Sequence, residues 1–304
     1  MTPLDDRCFL FITGKGGVGK TTVAAALARA MAGRGRRVLI AMCDVKERTS
    51  TLFGVPPLDH RITLVSKNVY GVKITPEVAM REYGELILKS KTAYRAVFEN
   101  KYVRSFFAGV PGLYEWAMLG KAWYHAVEEL PDGSRRFDVV LFDAPATGHG
   151  LDMLRVPKVI VDVVPPGILR RDAERAWTMF QDPKKSGVVV VTVPEDMPTN
   201  ETLELVESLK GELRLPIARL VVNCVVPQLW SADERATLLQ PRALDRSKPG
   251  DEAIAASVRR AIRERVQAEA LDRLRAVEAP QVRLPLLFRE AAEPGAIEEL
   301  AKLL

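Results

Sequence analysis

The chain is poor in cysteine and has no long apolar segment. Only three of its 304 residues are cysteines, Cys8, Cys43 and Cys224, and they form no Cys-x-x-Cys pair. Each lies in an apolar run, so we expect buried, reduced thiols rather than metal ligands. No apolar stretch is as long as a membrane span, and residues 1–7 lack the basic-then-apolar pattern of a signal peptide. These absences predict a cytoplasmic protein with no membrane span.

Internal repeats and low-complexity segments are also absent, and the charges nearly balance. Apolar residues make up 47% of the chain, and the formal net charge is +5. That apolar content is enough for a large single domain or for a domain with an insertion. A mildly basic balance permits a nucleic-acid or acidic partner but does not demand either.

A glycine-rich loop follows the apolar run Cys8–Thr13. It reads Gly-Lys-Gly-Gly-Val-Gly-Lys-Thr-Thr and fits the phosphate-binding pattern Gly-x-x-x-x-Gly-Lys-[Ser/Thr]. Its glycines let backbone N–H groups turn inward around phosphate oxygens. Lys20 brings a charge to the outer phosphates, the Thr21 hydroxyl can ligate Mg²⁺, and the next helix directs its positive dipole end at the phosphates. The predicted phosphate-binding residues are Gly14, Lys15, Gly16, Gly17, Val18, Gly19, Lys20, Thr21 and Thr22.

Short apolar runs alternate with helical patterns. The runs predict strands at Cys8–Thr13, Arg37–Cys43, Val69–Ile74, Asp138–Phe142, Val159–Val164, Val188–Val193, Ile217–Asn223 and Gln281–Leu284. The helical patterns lie at about 20–33, 198–213, 251–278 and 296–304. Several runs are apolar on successive residues, as in strands buried on both faces. We therefore predict one α/β domain over residues 1–304, a doubly wound, mostly parallel sheet of the P-loop nucleotide-binding type, with ligands at the carboxyl ends of strands.

Residues 76–130 interrupt this alternation with a pattern that is helical throughout and rich in aromatic side chains. A second helical piece, at about 165–182, carries Trp177, Met179 and Phe180. We expect the two insertions to form a helical subdomain on one side of the sheet. Their aromatic residues fit a plain core, and they also fit a partly exposed apolar groove for a client helix. The sequence leaves both possibilities open.

Two further apolar runs end in a carboxylate. Asp143 can hold a water on Mg²⁺, and the small turn after it, residues 144–149, can move when a γ-phosphate is present. Asp44 lies where a residue that orients an attacking water is needed, although a structural helix cap explains it equally well.

Taken together, these motifs resemble those of the arsenite-pump (ArsA) ATPase and the Get-type tail-anchored-protein targeting ATPases over nearly the whole chain. Gly14–Thr22 matches their deviant phosphate loop, whose signature is the early lysine Lys15. Asp143–Leu151 is similar to their second switch, and its Thr-Gly-His ending separates this branch from the ParA and MinD positioning ATPases. Pro111–Glu115 resembles the Pro-Gly-x-x-Glu segment of their helical part.

The resemblance implies a role for each matching residue. It makes three residues catalytic: Asp44 orients the hydrolytic water, Lys15 reaches across a dimer interface to the partner's phosphates, and Lys20 binds phosphate. The implied Mg²⁺ site comprises Thr21 and Asp143. Further nucleotide contacts fall to Glu195 across the interface, Asn223 at the base, and Pro285 and Leu286 in the adenine-side loop. The second-switch residues are Asp143, Pro145, Thr147, Gly148 and His149.

The chain also departs from this family pattern. Family members have Pro-Ala-His after the catalytic aspartate, whereas this chain has Val45-Lys46-Glu47, so its first switch is expected to couple differently. The paired zinc cysteines of many Get-type dimers and the arsenite-binding cysteines of the pump ATPase are missing, so no zinc is expected.

The resulting prediction is an ATPase that uses ATP and Mg²⁺ and works as a homodimer, or as a heterodimer with a related chain. Its nucleotide state would control binding of a hydrophobic client helix. One alternative is a weakly hydrolysing regulatory or scaffold protein that pairs with a paralogue. Another is a ParA/MinD-like positioning ATPase that binds DNA through a basic helix bearing Arg259, Arg260, Arg263 and Arg265. The second-switch sequence argues against the DNA-binding alternative, so nucleic acid is not the expected partner.

Overall fold

A computed structural model describes residues 3–43, 46–88, 112–145, 149–240, 243–245, 247–287 and 293–304. Its strands are β1 (Phe9–Thr13), β2 (Val38–Cys43), β3 (Thr63–Ser66), β4 (Val69–Ile74), β5 (Val139–Asp143), β6 (Ser186–Thr192), β7 (Ile217–Val225) and β8 (Gln281–Pro285). Its helices are α1 (Lys20–Gly33), α2 (Thr49–Phe53), α3 (Pro76–Leu88), α4 (Leu113–Val127), α5 (His149–Val163), α6 (Ile168–Gln181), α7 (Asp196–Gly211), α8 (Ala232–Leu238), α9 (Pro249–Leu274) and α10 (Pro294–Ala301), with a 3₁₀ turn at Leu4–Asp6.

The strands form one sheet in the order β3-β4-β2-β5-β1-β6-β7-β8. Every neighbouring pair is parallel except β3 and β4. The first strand, β1, therefore lies between β5 and β6, and Ile12 pairs with Asp143 at its carboxyl end. The predicted α/β fold with a mostly parallel sheet is confirmed.

The side chains of β1 point alternately to the two faces of the sheet, and both faces are covered, which explains why successive residues of this strand are apolar. Phe9 and Phe11 face a core shared with α3–α7 and α9, whereas Leu10 and Ile12 face a core shared with α1, α2 and α10. Successive side chains of a strand point to opposite faces, so helices on both sides require apolar residues at every position. Each such side chain, once fully buried, contributes about 1.5–3 kcal/mol to folding.

One predicted strand is wrong. Residues 159–164 belong not to a strand but mostly to α5, which ends at Val163. Within this helix Val156 and Ile160 are buried, whereas Val159 and Val163 are 37% and 68% exposed. That spacing of three to four residues is helical, and the β-branched composition of the run concealed it.

One strand of the structure was not predicted from the sequence. β3 pairs antiparallel with β4 at the edge of the sheet, and its Leu64 is 58% exposed. A short, half-exposed edge strand gives too weak an apolar pattern to be recognised.

Among the described residues, three helices lie within the predicted insertions: α3, α4 and α6. Residues 89–111 lie outside the described part, and the helical pattern ends at Val127, after which Glu129 bridges to Arg135. Trp116 is fully buried and Trp123 nearly so, whereas Tyr114 and Tyr124 are exposed. No described helix combines the length and the apolar character that crossing a membrane requires.

Candidate functional site

The loop between β1 and α1 is pressed against the ends of two neighbouring strands. Gly14 has φ +146°, and a Cβ there would overlap the carbonyl oxygen of Val191 in β6. Gly19 has φ +92°, and a Cβ there would overlap the side-chain amide of Asn223 in β7. Both positions therefore require glycine for conformation and for space.

The remaining loop residues lie as expected of a phosphate cradle. Gly16 and Gly17 are exposed, Val18 is buried, and Thr22 is half-buried in the first turn of α1. The first backbone N–H groups of a helix have no partner within that helix, and its positive dipole end favours an anion. The loop therefore offers a site for phosphate groups.

Lys20 lies over the loop that precedes it. Its Nζ donates to the carbonyl oxygens of Gly14 at 2.9 Å and Lys15 at 3.0 Å, and it forms no ion pair with any described residue. Burial lowers the pKa of Lys20, and the negative charge of Asp143 partly offsets this effect. A buried ammonium group whose direct partners are neutral carbonyls is well suited to a phosphate anion.

Thr21 and Asp143 meet at the ends of α1 and β5. The Thr21 hydroxyl donates to Asp143 Oδ2 at 2.8 Å, and the Asp143 side chain is fully buried. Its other oxygen, Oδ1, has no partner among the described residues. Burial raises the pKa of the Asp143 carboxyl to about 6, although the Thr21 hydrogen bond and the Lys20 charge act in the opposite direction.

This pair fits Mg²⁺ in the company of a nucleotide. Mg²⁺ prefers oxygen ligands and usually takes several of them from water and substrate phosphates. The described residues contain no group of three or more His, Cys, Asp or Glu side chains that could hold a metal ion by themselves. One hydroxyl and one carboxylate with a free oxygen are therefore what a phosphate-bound Mg²⁺ requires of the chain.

Lys15 has a partner that sequence reasoning missed. Its Nζ lies 2.5 Å from Glu201 Oε1 in α7, and the two side chains are 26% and 34% exposed. The pair joins residues 186 positions apart, so no local spacing could indicate it. Within a single chain, the Lys15 ammonium group is therefore paired with the Glu201 carboxylate on α7.

The residues expected at the base lie on one side of the loop. Asn223 is buried and donates to the Val18 carbonyl oxygen at 2.9 Å. Pro285 ends β8, and the Leu286 N–H donates to the Val225 carbonyl oxygen at 2.9 Å. The structure thus places these residues along the carboxyl ends of β7 and β8, next to the phosphate loop.

A cavity of about 360 Å³ opens at Cys224, the residue that follows Asn223. Its lining residues are Pro194, Glu195, Cys224, Arg263, Val266 and Gln267. Glu195 is exposed and immediately precedes α7. Cys8 and Cys43 are buried, as expected of the cysteines, but Cys224 is only half-buried.

The two switch segments are partly described. Asp44, Thr147 and Gly148 lie outside the described residues, and so does the side chain of His149, the residue at which α5 begins. In the first switch, the Glu47 carboxylate accepts from the Ser50 backbone N–H at 2.8 Å and from its hydroxyl at 2.6 Å. These bonds fix Glu47 at the start of α2.

Pro145 of the second switch faces the helical insertion. It lines a cavity of about 310 Å³ together with Tyr114 of α4 and Val156 of α5. Gly112, immediately before α4, has φ +77°, and a Cβ there would lie 3.0 Å from Val156 Cγ2. The helix α5 therefore approaches the start of α4 closely, and Pro145 of the second switch borders the cavity between them.

Comparisons with known proteins find similar ATPases. A sequence model of the anion-transporting ATPase family matches residues 7–165, slightly more than half of the chain. ATPase BagA of Mycobacterium tuberculosis is 28% identical over 312 residues, which cover 96% of this chain and 91% of BagA. ATPase GET3C of Arabidopsis thaliana is 26% identical, over 75% of this chain and 69% of its own length. The arsenical pump-driving ATPase of Acidiphilium multivorum is 26% identical over 78% of this chain, which spans 44% of that relative.

Proposed function

Because the chain belongs to the anion-transporting ATPase family and is an ATPase, we propose that it works as a nucleotide-switched dimer. ATP closes two subunits together, Lys15 of each subunit acts at the phosphates of the other, and hydrolysis reopens the pair. The helices α3, α4 and α6 couple this cycle to a hydrophobic helix of a client or partner protein.

The observation that carries this proposal is the position of Lys15. Lys20 covers the chain's own phosphate loop, whereas Lys15 extends from that loop to Glu201 and stays partly exposed. A cation that is not committed to its own site is available to a second subunit. Lys15 would bring its positive charge to the partner's phosphates only when the dimer closes. That charge stabilises the transition state, so hydrolysis would depend on dimerisation.

Contacts between the site and the insertion support the coupling. Thr21 bonds to Asp143, and the chain then runs through the second switch into α5, which packs on Gly112 at the start of α4. A change at the γ-phosphate that moves the second switch would thus be transmitted to α4. Small shifts are amplified when packed elements have two discrete arrangements.

For each part of the nucleotide we propose the residues that bind it. Lys20 and the loop N–H groups bind the phosphates, Thr21 and Asp143 hold Mg²⁺ and its water, and Asn223, Pro285 and Leu286 contact the base. Bound Mg²⁺ would supply positive charge to the phosphate oxygens. Following the resemblance, Asp44 orients the attacking water, and Glu195 contacts nucleotide from the opposite subunit.

One observation favours a second candidate, a scaffold that binds ATP but hydrolyses it slowly. Glu47, in the first switch, is tied to Ser50 by two hydrogen bonds, which would restrain movement of this segment. Tight ATP binding with negligible phosphate release would favour this candidate, whereas steady release would exclude it.

The basic helix α9 gives little support to DNA binding. Arg259 pairs with Glu252 at 3.0 Å, Arg260 pairs with Glu264 at 2.9 Å, and Arg265 lies 3.9 Å from Glu269. Arg263 lines the cavity at Cys224 instead. Neutralised arginines release few counterions from DNA, so we do not propose a DNA-positioning function.

The dimer switch is tested by measuring mass in solution. Light scattering with Mg²⁺ and a non-hydrolysable ATP analogue should give twice the chain mass of 33.7 kDa. The same protein with ADP should give a smaller mean mass. An identical mass in both nucleotide states would contradict the proposal.

Glu201→Gln should lower the ATP concentration needed for half-maximal dimerisation by about 1.4- to fivefold, because a partly exposed ion pair contributes about 0.2–1 kcal/mol. The substitution releases Lys15 in the monomer. Glu204→Gln, an exposed glutamate one turn further along α7, is the matched control and should leave the midpoint unchanged. A higher midpoint for Glu201→Gln would mean that Glu201 positions Lys15 in the closed state instead.

A further inference from the structure

A larger cavity, about 670 Å³ in volume, lies away from the phosphate loop. We call it the α4 cavity, because seven of its lining residues belong to α4 and the others come from α3, α6, residues 60–62 and Arg136. No residue of the loop 14–22 lines it. Its volume lies within the range of about 300–1,000 Å³ that is typical of small-molecule sites.

Aromatic and apolar groups form much of its wall. Trp116, Trp123, Tyr83 and Tyr124 line it, together with aliphatic residues. Gly120 and the Trp116 indole are both buried and pack against each other, since a Cβ at position 120 would be 3.3 Å from Cε2, and together they form part of the cavity floor. This wall suits a flat apolar body, because aromatic rings pack favourably in offset or edge-to-face arrangements.

Most charges around the cavity are already paired. Lys121 Nζ lies 2.5 Å from Glu82 Oε2, and Arg136 lies 3.2 Å from Glu128. Arg175, at the exposed mouth, differs: its guanidinium lies over the Trp123 ring at 5.8 Å and has no carboxylate within ion-pair distance among the described residues. Its donors remain free for a ligand that lies against Trp123.

Two polar ring atoms in the wall of the cavity, Trp123 Nε1 and His125 Nε2, have no hydrogen-bond partner among the described residues. His125 Nδ1 faces Glu128 Oε2 at 3.0 Å, so Nε2 of the neutral ring is an acceptor. Trp123 Nε1 therefore remains an unpaired donor on the ring over which Arg175 lies.

We propose that the α4 cavity binds an aromatic carboxylate, with its ring against Trp123 and Tyr124 and its carboxylate at Arg175. The planar guanidinium fork matches a carboxylate in two parallel hydrogen bonds. Glu82 and Asp172 line the same cavity and disfavour a doubly charged anion such as a phosphate monoester. This site is separate from the nucleotide site, and the proposal does not depend on the dimer switch.

The test uses the whole chain labelled with 5-fluorotryptophan and titrated with indole-3-acetate or its neutral analogue indole-3-acetamide. The fluorine resonance of Trp123, assigned by the Trp123→Phe variant, should shift, while that of Trp230, which does not line the cavity, stays fixed. The acetate should bind about tenfold more tightly than the acetamide, as expected of a charge-assisted hydrogen bond. Arg175→Gln should abolish this preference.

Arg171→Gln is the matched control, since Arg171 lies on the same helix but does not line the cavity. It should retain the tenfold preference. Equal affinity of the two probes for the wild type, shifts confined to Trp230, or no shift of Trp123 at millimolar probe would each overturn the proposal.

Discussion

Lys15→Ala should lower kcat for ATP hydrolysis by about 10³-fold while leaving ATP affinity of the monomer within a few fold of wild type. The charge that Lys15 supplies to the partner's phosphates acts only in the closed dimer, so its loss removes transition-state stabilisation and not ground-state binding. Steady-state phosphate release and nucleotide titration of the same preparation measure the two quantities.

Lys20→Ala provides the contrast for this experiment. Lys20 covers the chain's own loop, so its removal should weaken nucleotide binding as well as hydrolysis. A Lys15→Ala protein that hydrolyses ATP at the wild-type rate would contradict the cross-subunit role. If Lys15→Ala weakened binding in the monomer as Lys20→Ala does, Lys15 would act within its own chain.

Asp143→Asn should have opposite effects on activity and stability. Activity at pH 8 should fall by about 10²-fold or more, because a neutral amide cannot replace a carboxylate beside Mg²⁺. Without nucleotide and Mg²⁺, however, the variant should be more stable than wild type by up to about 3 kcal/mol at pH 8. Asparagine can still accept the Thr21 hydrogen bond without placing a charge in the interior.

The direction of this change in stability follows from the pKa of Asp143, which burial raises from 3.8 to about 6. The folded state holds this proton more tightly than the unfolded state, so wild-type stability falls as pH rises through the range between these two values. The advantage of Asp143→Asn should therefore be absent below about pH 4 and complete above about pH 6. Urea unfolding at several pH values measures it, with Asp152→Asn, an exposed position on α5, as the control. An advantage that did not grow between these pH values would contradict the buried charge.

The phosphate loop and its surroundings were predictable because glycine conformation and strand ends are local properties. Gly14 and Gly19 have the positive φ angles that their pattern requires, and Asp143 lies at the end of an apolar strand beside Thr21. The family resemblance is confirmed by the match over residues 7–165. The roles of the individual site residues remain predictions, and Asp44, Thr147 and Gly148 also lie outside the described part.

Tertiary contacts were not predictable in the same way. The Lys15–Glu201 pair and the Asn223–Val18 hydrogen bond join residues 186 and 205 positions apart, so only the folded sheet brings them together. The run at 159–164 was assigned to a strand because β-branched residues outweighed its helical spacing. For the α4 cavity, composition indicated aromatic residues but not the open space that α3, α4 and α6 leave between them.

Mixing two inactive variants tests the central claim, that Lys15 acts across a dimer, most directly. Lys15→Ala keeps Asp44, and Asp44→Asn keeps Lys15, so a mixed dimer contains one complete site only if Lys15 acts in trans. Random pairing at equal concentrations should restore about one quarter of wild-type ATPase activity, since half of the dimers are mixed and each has one working site. Activity no greater than the mean of the two variants measured separately would contradict the account.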